Sequence, residues 1–310
     1  MHNRRKFLLQ TGMAATAILA ARPFSSIASA NRQFFPSLEG TNNLTILHTN
    51  DIFNSLGPVD SGLGGFYRTA EMIRAIKEKN QHLVLLDAGN TFSGKTRHLD
   101  AHDETLALMN SLGYDAMLPG DRDLGAGPAY LNEKISRYDL PVVASNLSIH
   151  DSGLNASIRS YKIIKKGTLR IGIIGAASNK NWMNTKTGYA NPVKEMNRIA
   201  NMLKKEKNCD LVICLSQLGF TNRKAIDDIG LARQSRDIDI IIGGYSRTFM
   251  QQPRIVLNKN RHEVIINHAA YSGIVLGNLE IGFDDQKRKN RVSFNNILVG
   301  SVDQKWQIVA

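Results

Sequence analysis

Apolar positions in this 310-residue chain fall into two alternating kinds of pattern. Short, almost wholly apolar runs read as strands buried on both faces: LTILHTN (44–50), HLVLLDA (82–88), DLVICLS (210–216) and IDIIIGG (238–244). Between them lie amphipathic stretches with helical spacing. GFYRTAEMIRAIKEKN (65–80) places Phe66, Ala70, Ile73 and Ile76 on one face. ETLALMNSL (104–112) is a helix ended by Gly113, and NPVKEMNRIANMLKKEKN (191–208) is a helix with proline near its start. YDAMLPG, GPAYLNEKISRY and LPVVASN (114–146) repeat the order strand, helix, strand. YKIIKKGTLRIGIIGAA (161–177) predicts a hairpin turning at Lys166 and Gly167. The segment 254–299 alternates apolar and polar residues and reads as a meander. Buried strands between helices predict an α/β domain over 44–300, and the meander predicts mixed rather than purely parallel sheets. Met72, Met109 and Met117 fall at core spacing.

The chain begins with an address. Residues 3–9 read NRRKFLL, an apolar stretch follows at 13–21, and Ala28-Ser29-Ala30 is a small-residue cleavage site. Paired Arg4 and Arg5 followed by Phe and Leu predict a twin-arginine export signal over 1–30, then a linker over 31–43. The expected location is the periplasm or envelope of a bacterium. This nine-residue stretch, broken only by Thr16, is too short to span a bilayer, which takes ~20. Residues 301–310 read as a tail. Net charge is +12, but no basic run marks a nucleic-acid tail. Two cysteines exclude a disulfide scaffold and a thiolate zinc site. Cys209 and Cys214 read as strand residues on opposite faces, Cys214 as a small core hydrophobe.

Five polar segments follow predicted strands: HTNDIFN (48–54), DAGNTFSGK (87–95), PGDRDLGAG (119–127), SQLGF (216–220) and GGYSRTF (243–249). Residues just past the carboxyl ends of strands line the ligand crevice of open α/β sheets, so these five can form one composite site. Together with LTILHTND, P-V-x-A-S-N-L, IGIIG and IDIIIGG-x-S-x-T, they resemble the signature blocks of the metal-dependent 5′-nucleotidase and calcineurin-like phosphoesterases. The resemblance implies a four-layer α/β/β/α sandwich holding two divalent metals that activate water against phosphoesters. It also implies a C-terminal nucleoside-gripping domain, which this sequence is expected to lack. A separately encoded partner carrying that domain is one expectation.

The blocks depart from the resemblance at the residues that would do the chemistry. Asp51 keeps a ligand position, but Phe53 replaces a ligand histidine. Asn90 stands for the metal-bridging aspartate, and Asp121 for a ligand asparagine. Arg122 stands for the general-acid histidine, and Gly125 for the acid that orients it. Gln217, Tyr245 and Arg247 occupy the remaining ligand positions. Two dications held close together need a bridging anion, which neutral Asn90 cannot supply. Transition metals favour imidazole, and none remains at these positions. The expectation is an inactive phosphoesterase fold without a cofactor, binding a protein partner or a phosphate-like anion through Arg122 and Arg247. A weaker alternative uses the oxygens of Asp51, Asn90, Asp121 and Gln217 for one Mg or Ca ion and slow phosphoester hydrolysis. Asp51 and Asp121 are expected to pair with the two arginines when no metal is bound.

Other candidates carry less. His48 reads as a hydrogen-bonding residue; His82, His150, His262 and His268 read as isolated. His98 and His102 could chelate a metal only on a helix. Gly62 to Gly65 could offer amides to an anion, but read better as a flexible rim.

Overall fold

The computed structural model describes residues 43–59, 62–92, 99–149, 151–178, 187–222, 224–300 and 307–308. The signal, nearly all of the linker, His98 and His150 lie outside them, as does the His102 side chain. In chain order the strands are β1 (Asn43–Thr49), β2 (Leu83–Asp87), β3 (Ala116–Met117), β4 (Leu147–Ile149), β5 (Tyr161–Lys166), β6 (Leu169–Ala176) and β7 (Thr187–Tyr189). Then come β8 (Leu211–Ser216), β9 (Ile240–Gly243), β10 (Arg254–Leu257), β11 (Glu263–His268), β12 (Val275–Phe283), β13 (Lys289–Phe294), β14 (Ile297–Leu298) and β15 (Gln307–Ile308). The helices are α1 (Phe66–Lys77), α2 (Leu99–Leu112), α3 (Asp121–Gly125), α4 (Pro128–Arg137), α5 (Ser152–Ser157), α6 (Pro192–Lys205) and α7 (Asp228–Gln234).

Among the described residues two mixed sheets form, together with a two-stranded antiparallel pair of β4 and β7. The first runs β15-β14-β12-β1-β2-β3, with β13 also on β12; the second runs β10-β11-β9-β8-β6-β5. Each is parallel at its heart, β1-β2-β3 in one and β6-β8-β9-β11 in the other. Antiparallel β12 and β5 join them as the sequence alternation predicts.

The apolar runs are apolar because both faces of the strands are covered. Ile171 and Ile173 of β6, Ile213 of β8, and Ile240 and Ile242 of β9 enter a core shared with Leu44, Ile46 and Leu85 of the first sheet. Their neighbours Ile174, Ala176, Val212, Cys214 and Ile241 point the other way, into a second core under α6 and α7. α6 supplies Met196, Ile199, Ala200 and Leu203, spaced by three and four along one face. It starts where the Asn191 side chain accepts from the Lys194 amide at 3.0 Å, with Pro192 in the first turn. Leu203 seats on Gly172, where a Cβ would lie 2.8 Å from its Cδ1. The layers are therefore helix, sheet, sheet, helix.

Several local expectations are corrected. LPVVASN forms single bridges, Met117 with Val142 and Val143 with Arg159, instead of a strand; Pro141 lacks the N–H a ladder needs. The short elements α5, α7, β4 and β7 had no periodic signal. Cys209 and Cys214 do not face apart: both are buried in the second core, because Cys209 precedes β8 and the strand alternation does not reach it. The amides of Gly62, Gly64 and Gly65, read in the sequence as belonging to a rim, are committed to the carbonyls of Val59, Val299 and Ser272.

Candidate functional site

The five polar segments sit beyond the carboxyl ends of β1, β2 and β3 in one sheet and β8 and β9 in the other. Side-chain hydrogen bonds tie them across the gap between sheets. Asn90 Nδ2 donates to Asp51 Oδ1 at 2.6 Å and to Gln217 Oε1 at 2.9 Å. The orientations of both amides follow from their other ends. Asn90 Oδ1 accepts from the Arg122 backbone N–H at 3.2 Å, and Gln217 Nε2 donates to the Ala88 carbonyl. Gly120 packs so close to Asn90 that a Cβ there would lie 2.2 Å from Oδ1.

Asp51 is fully buried and holds its carboxylate among donors: Asn90, the Asn50 side chain at 3.0 Å, and the Tyr245 backbone. Burial pushes its pKa above the ordinary value, and those hydrogen bonds act against the rise. Asp121 is buried too and takes the Ser178 hydroxyl. Asp123, unremarked in the sequence beyond its motif, ties two loops together: its Oδ2 accepts from the amides of Gly120 at 2.7 Å, Asn90 at 2.9 Å and Thr91 at 3.3 Å.

The expected pairing of arginine with aspartate does not occur. Among the described residues neither Arg122 nor Arg247 lies within ion-pair reach of a carboxylate. Both are exposed and stack on the ring of Phe53, with guanidinium carbons 4.5 and 4.9 Å from its centroid. Arg247 also lies 5.4 Å from the Tyr271 ring. The buried carboxylates find amide and hydroxyl donors nearer at hand, which removes the need for a guanidinium. Backbone geometry aims these side chains. Asp51, Phe53, Asn90, Tyr245 and Arg247 all have positive φ, between 51° and 69°. For the bulky ones this costs on the order of 1 kcal/mol or more each. Hydrogen bonds such as Asp51 N to Gly89 O and Phe53 N to Asn90 O hold the turns in place.

Residues 44–244 match the family described as calcineurin-like phosphoesterase. The chain belongs to that family. Relatives among calcineurin-like phosphoesterases include the snake venom 5′-nucleotidase of Gloydius brevicauda, 29% identical over 291 residues. That alignment covers 84% of this chain and 48% of the relative. The 5′-nucleotidase of Bos taurus is 28% identical over 290 residues, covering 83% of this chain and 50% of the relative. Among solved structures, the 5′-nucleotidase precursor from Thermus thermophilus superposes with a TM-score of 0.76 at 24% identity, over 83% of this chain and 54% of that one. The chain spans about half the length of the curated relatives it matches.

The divalent metals of calcineurin-like phosphoesterases do not fit the residues at this centre. Among the described residues no group of three or more His, Cys, Asp or Glu is arranged to hold a metal ion. An amide NH₂, a donor, points between the two side-chain oxygens that face the centre. Of the oxygens in the single Mg or Ca alternative, Asp51 Oδ1 and Gln217 Oε1 accept from Asn90, and Asp121 accepts from the Ser178 hydroxyl.

Behind the site lies a second buried polar layer. His268, read from sequence as isolated, places Nε2 2.8 Å from Asp228 Oδ2, and the Ser216 hydroxyl donates to Asp228 Oδ1 at 2.5 Å; all three are fully buried. His48 Nε2 accepts from Asn267 Nδ2 at 2.9 Å, and burial with the nearby His268 lowers its pKa to about 3, so it is neutral. Asp87 accepts from the Thr49 hydroxyl at 2.6 Å, the Thr91 hydroxyl at 3.0 Å and the Gly89 amide at 2.9 Å. Burial raises its pKa to about 7. The available signal for four of these, Thr49, Asp87, Ser216 and His268, was a polar residue closing a strand.

Proposed function

We propose that this chain is a non-hydrolytic calcineurin-like phosphoesterase domain, exported to a bacterial envelope, that binds an anionic group with Arg122 and Arg247. The observation that carries the reading is the Asn90 amide, which donates to both Asp51 and Gln217 where the resemblance implies a metal-bridging carboxylate. Hydrolysis in the family needs metal-activated water, and an N–H donor between the ligand oxygens repels a cation. Phe53 replaces a histidine and instead serves as a platform for two guanidinium groups. Those groups are held by π faces rather than carboxylates, so their N–H edges remain available to a phosphate-like or carboxylate partner. Export rests on residues 1–30 alone. No described helix is long and apolar enough to cross a membrane.

The test combines turnover with anion binding. Purified chain is assayed against nucleoside monophosphates and an aryl phosphate with Mg, Mn or Zn supplied, and its melting temperature is followed with inorganic phosphate. No turnover above a denatured control is expected. Phosphate is expected to raise the melting temperature of the wild type and not of an Arg122→Ala/Arg247→Ala double variant. Metal-dependent turnover lost in Asp51→Ala would overturn the non-hydrolytic reading. An equal phosphate shift in the double variant would overturn the anion site.

A further inference from the structure

Away from the five loops, a cleft of about 510 Å³ opens between the end of α4, the end of α5 and strand β5. That volume lies within the range of small-ligand pockets, ~300–1,000 Å³. Its back wall contains Tyr114 and Val142, both buried. Its polar lining is Arg159, Lys162, Asp139, Ser136 and Ser157, the last with its hydroxyl already bonded to Asn132 Oδ1 at 2.7 Å. Lys162 is half-buried on β5 and spends one N–H on the Asp115 carbonyl at 2.8 Å. Among the described residues it has no carboxylate within 4.0 Å; Asp115 instead pairs with Lys166 at 3.0 Å. Neither does Arg159 form an ion pair there, although Asp139 lines the same cleft. Burial lowers the pKa of Lys162, with Arg159 and Lys166 adding to the effect against Asp115 and Asp139.

Two cations in one concave site, one partly desolvated and, among the described residues, neither in a direct ion pair, outnumber the single carboxylate of the lining, Asp139, and form a receptor for an anion. The rest of the lining narrows the class. An exposed carboxylate and a serine hydroxyl serve hydroxyl groups better than an apolar body, and Asp139 in particular accepts from an alcohol. We propose that this cleft is a second binding site, taking a small hydroxylated organic anion of the sugar-acid class, with its acid group on Lys162 and Arg159 and its hydroxyls on Asp139 and Ser136. The site is separate from the arginine pair on Phe53 and does not depend on it.

Calorimetric titration of the purified full chain with D-glucuronate tests this, with D-glucose and acetate as probes that each carry half of the recognised chemistry. Saturable binding of glucuronate is expected, with glucose and acetate at least about tenfold weaker, the factor a lost charge-assisted hydrogen bond implies. Lys162→Met and Arg159→Gln should each weaken glucuronate about tenfold, and the Arg122→Ala/Arg247→Ala variant should bind it as the wild type does. Because Arg159 is exposed, Arg159→Gln carries the test if Lys162→Met fails to fold. Absence of saturable heat at ~10 mM glucuronate, or unchanged affinity in Arg159→Gln, overturns the proposal. Tight binding of acetate alone overturns the sugar-acid class.

Discussion

Asn90→Asp changes almost no volume and inverts the electrostatics of the centre. In the wild type a donor nitrogen lies 2.6 Å from Asp51 Oδ1 and 2.9 Å from Gln217 Oε1. The variant sets an acceptor oxygen against both. Two carboxylates relaxing to ~3.5 Å repel by about 5 kcal/mol at an effective dielectric of ~20. The chain can avoid this by binding a proton. Forcing a proton onto a carboxylate of ordinary pKa at pH 7.5 also costs about 5 kcal/mol, but burial already raises Asp51 and lessens that cost. The expected loss of unfolding free energy is therefore about 3–5 kcal/mol at pH 7.5. The pair's folded pKa lies above its unfolded value, so the folded state holds the extra proton and the penalty shrinks as pH falls. At pH 5 it should be about 1–2 kcal/mol. A divalent cation offers the other escape: Mn or Mg should recover part of the lost stability in the variant and none in the wild type. Urea denaturation at the two pH values, with and without metal, reads all three effects. A variant within ~1 kcal/mol of wild type at pH 7.5, insensitive to pH and to metal, would refute the claim that the Asn90 amide stands in for a cation.

Three further outcomes follow from the same geometry. Asp87 has a folded pKa of about 7, raised by burial from an unfolded value near 4, so its contribution is present in full below about pH 4 and lost as pH rises through 7; Asp87→Asn should remove about 3 kcal/mol of the loss between pH 5 and 8, and an unchanged difference between those two pH values in urea melts would refute it. His48 is lowered to about 3, so its contribution is present above pH 6.5 and lost as pH falls towards 3; His48→Gln, measured against wild type over pH 4–7, should soften acid unfolding. Arg122→Ala and Arg247→Ala should each cost less than about 1 kcal/mol in thermal melts, the worth of an exposed cation–π contact, rather than the 3–5 kcal/mol of a broken buried ion pair.

The layered fold was legible because strands covered on both faces must be apolar throughout, as Ile171 to Ala176 and Leu211 to Leu215 are. The loops that meet at the site were legible for a related reason: each begins where an apolar run stops at a polar residue. The partners within the site were not. Phe53 and Arg247 are turned by left-handed backbone, so the direction of either side chain could not be read from residue type. Asp228 and His268 are separated by 40 residues, and nothing local marks them as neighbours. Asn50 escaped notice although its side chain spans to the Ala269 amide at 2.8 Å and the Ala270 carbonyl at 2.7 Å, because asparagine in a loop is ordinary turn chemistry.

On the proposed reading, a centre whose buried Asp51 is satisfied by the Asn90 amide carries its donor in the covalent chain. Its folding is then indifferent to metal supply: no ion has to be captured before the two sheets close, and no chelator or competing metal-binder can empty the centre afterwards. Fold and metal availability, coupled wherever carboxylates await a cation, are on that reading uncoupled by the difference between one oxygen and one nitrogen.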